Sequence, residues 1–295
     1  MRRTGAIIKR TAVKFYDDQM TQHAAALTYY GLMSLFPAAL LAISLLGVIG
    51  EYPATYNAII GYLRKVAPEA AVVPLDSSLR TALQHKGTAA TTLVISIALA
   101  LYGTTGVLEA ARRAMNVIFG VKHGRRFLTR KAIDVASSIV LMLLVLTTLV
   151  LVFVGGRFAD DLLGFIGIGG DGAFIWSVIR WPLAVAIAML GFASVYYVTP
   201  DVQHRSFKTV LPGAVVAVVL WLIASFAFST YVSSVADVGA LYGTFAGAIV
   251  LVAWMWLTNV ALLFGAELNG EIARQKELDA GIPHHDTLEL QPRRG

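Results

Sequence analysis

The stretch GAELNGE at residues 265–271 sets two carboxylates, Glu267 and Glu271, and the amide Asn269 at the end of a run that carries no charge from Tyr242 to Ala266. Ionisable groups in such places are expensive and mark paths for ions, protons or polar substrates. Asn259 lies within the same run. A second group, Thr28, Tyr29, Tyr30 and Ser34, lines up hydroxyls just ahead of Pro37 in AAALTYYGLMSLFP. Proline removes a helix hydrogen bond, and carbonyls freed in lipid need protein or a wet cavity to satisfy them. This predicts an inward-facing helix, with a packing kink that binds nothing as the alternative. In a third group Glu109, Arg112 and Arg113 stand at i, i+3 and i+4, so the three can pair on one helix face. A lone glutamate there would be a proton-relay candidate, whereas two arginines within a turn favour a structural charge cluster at the membrane interface.

Other chemistries lack their parts. No G-x-x-x-x-G-K-[ST] occurs, so ATP coupling has no phosphate loop. There is no cysteine, and the histidines are dispersed: His23, His85, His123 and His204 lie in different segments, while His284 and His285 stand in the tail. A zinc hydrolase needs clustered ligands, so neither a metal nor any other cofactor is expected. No nucleophile stands at a workable spacing from a base, and no enzyme is expected.

The elements that position these residues follow from composition. The chain is 57% hydrophobic and 14% charged, against about 25% charged in ordinary soluble domains. Apolar runs occupy residues 24–50, 89–111, 132–156, 174–199, 207–236 and 242–268. About 20 apolar residues cross a hydrocarbon core of about 30 Å, so the expected fold is all-α, a polytopic membrane protein with six spans. Residues 1–23 form an amino-terminal segment and 272–295 a mobile tail. The first run is too long for a signal-peptide core, which covers about 7–15 residues.

Eighteen of the 24 lysines and arginines fall in the two ends and in the second and fourth connections. Positive charge is retained in the cytoplasm, which predicts a multi-pass membrane protein with both termini cytoplasmic. Anionic lipid headgroups face the same side and are the expected partners. They account for the net charge of +6 without nucleic acid.

The connections differ in kind. The first, 51–88, spaces Tyr56, Ile59, Ile60 and Leu63, then Leu75, Leu79 and Leu83, as two short amphipathic helices would. The third, 157–173, is glycine-rich, and Arg180 beyond it can snorkel outward or pair with an acid such as Asp237. Gly239, Gly243 and Gly247 recur every four residues on the last span, a face for close helix packing. A homo-oligomer is compatible with the sequence but not implied by it.

Several stretches together resemble the YihY/BrkB family of bacterial inner-membrane proteins, sometimes labelled ribonuclease BN-like. They are AAALTYYGLMSLFP at 24–37, LPGAVVAVVLW at 211–221, YGT at 242–244, WMW at 254–256 and FGAELNGE at 264–271. The resemblance covers nearly the whole chain and implies six helices with both ends inside. VYYVTPDV at 195–202 departs from the family's more basic stretch, and no role is carried onto it. Two functions are expected to compete: a transporter or flippase-like carrier of a lipid, lipid-linked precursor or small solute for the cell envelope, and a non-transporting envelope scaffold.

Overall fold

A computed structural model describes residues 2–49, 86–121, 127–153, 171–202, 206–234 and 246–281, with scattered positions between 53 and 84. These residues form long helices, with no strand among them. They are α1 (Arg2–Asp17), α2 (Met20–Ile49), α3 (Lys86–Ile118), α4 (Phe127–Phe153), α5 (Asp171–Val198), a short 3₁₀ turn (Phe207–Thr209), α6 (Leu211–Ser234) and α7 (Ala246–Asp279).

Among the described residues five helical segments are long and apolar enough to cross a membrane: Met20–Leu45, Ala90–Ile118, Val178–Val198, Leu211–Val232 and Gly247–Asp279. The sixth expected span falls on α4, which is not one of the five, so the count of six rests on the sequence. Helices also run past the apolar runs that end at 111 and 268. α3 continues to Ile118 and α7 to Asp279, beyond the apolar runs, because a helix is not bound to stop where its apolar run does.

Helix boundaries follow local chemistry. α3 ends where Gly120 takes φ 64, and Val121 N–H returns to Asn116 C=O at 2.8 Å, the glycine-capped stop that a side chain would strain. α5 stops ahead of Pro200, and Pro212 sits in the first turn of α6, where its missing N–H costs nothing. α2 runs unbroken through Pro37 and α5 through Pro182. Between α1 and α2 Gln19 adopts φ 53, an unusual conformation for a residue with a side chain.

Hydroxyls within the spans bond back to their own helix. Thr104 donates to Ala100 C=O, Thr148 to Leu144, Ser194 to Leu190 and Thr258 to Trp254, at 2.7 to 2.9 Å. An i−4 bond satisfies the hydroxyl internally, and so these residues enter lipid at little cost. Large apolar side chains point outward, Phe36 at 71% exposure among them.

The residues group into two compact units. One holds Thr28–Val107 and Val232–Ala253, the other Met1–Leu27, Leu108–Tyr231 and Trp254–Gly295. In the first, α2 and α3 pack closely: a Cβ on Gly103 would lie 3.1 Å from Ser34 Cβ, and one on Gly106 would lie 3.2 Å from the Tyr30 ring. Ile60, Leu79 and Leu83 are buried here, as the amphipathic spacing predicts, and the Tyr56 hydroxyl donates to Asp76 at 2.6 Å. The rest of the first connection lies outside the described residues.

In the second unit α6 and α7 run antiparallel. Gly213 meets Gly265 and Asn269, Trp221 Nε1 donates to Thr258 at 3.1 Å, and Trp254 Nε1 to Ser225 at 3.2 Å. The indoles of Trp221 and Trp254 lie against protein and against each other, with ring centroids 6.3 Å apart.

Candidate functional site

From Ala261 to Glu271 every residue of α7 except Phe264 is buried. Other segments of the same unit surround this stretch, and each approach has its own chemistry. Tyr196 of α5 donates its hydroxyl to Leu262 C=O at 2.5 Å. Gly265 meets Gly213 of α6, backbone against backbone, so that a Cβ on either would overlap the other's carbonyl oxygen.

Asn269 closes the start of α6. Its Oδ1 accepts from Gly213 N–H at 2.8 Å, and its Nδ2 donates to Val210 C=O at 2.9 Å. The first N–H groups of a helix have no partner within it, and this asparagine supplies one from another helix. Asn269→Ala should cost about 1–3 kcal/mol through the buried N–H it strands. Thermal melting of the purified protein in detergent checks this, with Asn269→Asp, which keeps the acceptor, losing less.

Glu271 is buried and ion-paired. Arg10 Nε of α1 lies 3.1 Å from its Oε2, and Arg274 Nε 3.5 Å from its Oε1. Arg10 also donates through Nη2 to Gln275 at 2.6 Å, and Phe15 stacks on Phe264 with centroids 5.8 Å apart. Glu267 is 2% exposed, and its Oε1, like Glu271 Oε2, has no hydrogen-bond partner, but no arginine among the described residues is paired with it. Asp18, on the turn between α1 and α2, lies within hydrogen-bonding reach, and Lys14 and Glu271 are its other charged neighbours.

A second polar cluster joins α3, α4 and the turn after α5. Arg112 is buried and grips Asp134 with both terminal nitrogens, while Nη1 also donates to Glu109 Oε2 at 2.9 Å. Arg112 Nε lies 3.9 Å from Asp201 Oδ1. Asp201 is held by Asn116, which donates to its carboxylate and accepts its N–H, both at 3.0 Å. Arg130 Nε lies 3.8 Å from Glu109, and Arg113 is largely exposed, 3.7 Å from the same carboxylate. A planar guanidinium suits two-point carboxylate pairing, so this cluster ties three chain segments together. Beside it a cavity of about 180 Å³ opens among Leu108, Ser137, Leu141, Ser194, Val198 and Thr199.

The sequence-derived residues are thus divided. Thr28, Tyr29, Tyr30, Ser34 and Pro37 fall in one unit, with Thr28 buried and engaged, Tyr29 and Tyr30 exposed and edge-on at 5.4 Å, and Ser34 bonded to Gly31 C=O at 2.7 Å. Asn259, Glu267 and Asn269 fall in the other; Asn259 is half-buried with a partner. Glu109, Arg112 and Arg113 do cluster, though Arg113 only at the rim. Gly247 has open space beside it, and Gly239, Gly243 and Asp237 lie outside the described residues. Arg180 sits over the Trp181 ring at 5.2 Å. Asp134, Asp201 and Asn116 had no sequence signal beyond being acids or an amide near apolar runs, since their partners are up to 85 positions away.

Residues 11–287 match the family described as Virulence factor BrkB. The chain is 29% identical to the ribonuclease-like protein YfkH of Bacillus subtilis (strain 168), over 89% of this chain and 93% of that one. It is 26% identical to a UPF0761 membrane protein of Pseudoalteromonas translucida (strain TAC 125), over 92% and 90% of the two chains. With a UPF0761 membrane protein of Xanthomonas oryzae pv. oryzae (strain PXO99A) it shares 26% identity, over 88% of this chain and 59% of the relative. No solved structure matches the chain.

Proposed function

Because the chain belongs to the virulence factor BrkB family and is a membrane protein, we propose that it is a transporter or flippase-like carrier of a lipid, lipid-linked precursor or small solute for the cell envelope. One observation carries this: Glu267 is buried at the end of a spanning helix with an oxygen that no hydrogen bond satisfies, and it lacks the arginine partners that hold the other such carboxylates, Glu271 and Asp201. Buried polar groups that serve only packing are paired, and an unsatisfied carboxylate in a spanning segment is a site for something that moves. The distribution of lysine and arginine supports an orientation in the plasma membrane with both termini in the cytoplasm. Glu267, Asp18 and Glu271 then stand at the inner mouth.

The proposal contains no nuclease step, although one relative is named ribonuclease-like. Glu109, Asp134 and Asp201 all face Arg112, and among the described residues no group of acids and histidines is arranged to hold a metal ion.

The test is transfer of a fluorescent phosphatidylglycerol between leaflets of vesicles containing the purified protein. Transfer above empty vesicles is expected, falling to the empty-vesicle rate in Glu267→Gln at equal incorporation. If wild type and empty vesicles agree for this probe and for small-solute efflux, the carrier is refuted. The scaffold reading would then stand, and it has its own support in the Arg112 cluster, whose groups face one another rather than a passage.

A further inference from the structure

The helix α1 is held to the rest of its unit by one side only. Arg10 reaches Glu271 and Gln275 of α7, and Phe15 meets Phe264. The rest of the helix circumference, from Ile8 beside Phe15 round to Val13 beside Arg10, exposes Ile8 at 53%, Val13 at 52% and Tyr16 at 80%, with Lys9 between them. Five basic residues, Arg2, Arg3, Lys9, Arg10 and Lys14, precede the first acid, Asp17. α2 begins at Met20, so α1 stays within its own length, about 24 Å, of the first spanning helix.

Exposed apolar and aromatic side chains around Lys9, on a basic segment held that near a bilayer, fit the headgroup layer. Tyrosine rings favour that depth, and anionic lipids attract the lysines and arginines. A second copy of the chain on this face would bring like charges together.

We propose that α1 is an interfacial helix whose free side docks on a bilayer surface containing anionic phospholipid. This rests on the membrane placement of α2 and is independent of transport. It places a lipid-facing helix beside the Glu267 region, because α1 carries Lys14 and leads into the turn that holds Asp18.

The absence of cysteine makes single-cysteine labelling direct. Ile8→Cys, Tyr16→Cys, Phe36→Cys and Ala280→Cys are labelled with a small fluorophore and reconstituted in vesicles of phosphatidylglycerol with phosphatidylcholine, or of phosphatidylcholine alone. Lipid-borne nitroxide and aqueous iodide serve as quenchers. With anionic lipid, labels at 8 and 16 are expected to be quenched by nitroxide more than the label at 280, and by iodide less. The contrast is expected to shrink in phosphatidylcholine alone and in a Lys9→Glu background. Iodide quenching at 8 and 16 equal to that at 280 overturns the proposal, as does contrast that ignores lipid charge. Shielding from both quenchers means that protein covers the face, which also overturns it. The label at 36, in the span of α2, reports membrane placement separately: if nitroxide fails to reach it, the premise has failed rather than the docking.

Discussion

Replacing Asp134 by alanine is expected to cost the fold about 3–5 kcal/mol, the penalty for leaving a buried charge without its partner. The residue at risk is Arg112, 2% exposed, whose two terminal nitrogens both lean on Asp134. Glu109 lies 2.9 Å away but is part-exposed, and Asp201 is at 3.9 Å, so neither replaces a two-point grip. The loss should appear as a lower melting temperature in detergent and lower abundance in membranes. Removing Arg112 as well should cost less than the two single changes added, because contacting charges couple. Melting of Asp134→Ala at the wild-type temperature would mean that the cluster does not bind α3 to α4.

The second large effect is steric. Gly265→Leu should prevent α6 and α7 from closing. Even a Cβ at Gly265 would meet the Gly213 carbonyl oxygen, with the Tyr196 hydroxyl at 2.6 Å and Ala217 Cβ at 2.7 Å. Backbone cannot swing away as the end of a flexible side chain can, and overpacking a close contact costs about 1–3 kcal/mol or more. Gly247→Ala is the contrast. Nothing lies within 4 Å of it, and alanine in a helix is favoured over glycine by about 0.5–1 kcal/mol. Abundance and melting temperature should fall for the first change and hold or rise for the second. If Gly247→Ala were the damaging one, the glycine repeat near the start of α7 would be the packing surface after all.

These two sites show what a linear sequence discloses. Charge-free runs reveal long helices because lipid forbids charge along the whole length, and α2 to α7 follow them. α1 was missed, since its face mixes apolar and basic residues and its helical period competes with charge that reads as a solvated tail. The spacing of Gly239, Gly243 and Gly247 marks a helix face but not what lies opposite, while Gly213 and Gly265 carry no repeat and meet only because α6 and α7 run antiparallel. Glu109 and Arg112 are legible as neighbours on one helix. Asp134 and Asp201 become their partners through tertiary approach, which no local spacing encodes. Asn269 was legible as polar at the inner end, but its role in closing the start of α6 depends on the register of that hairpin.

Glu267 stands apart because sequence and structure single it out for different reasons. Its place at the rim of an apolar run suggests function, and the unsatisfied oxygen in a core where Asn269 and Glu271 are both paired strengthens it.

The orientation on which the inner mouth depends is open to one direct measurement. Asn57 is exposed in the first connection and Ala280 just past α7. In intact cells a membrane-impermeant maleimide is expected to label Asn57→Cys and to label Ala280→Cys only after permeabilisation. Labelling of Ala280→Cys in intact cells, with Asn57→Cys protected, would place Glu267 at the opposite side and contradict the orientation.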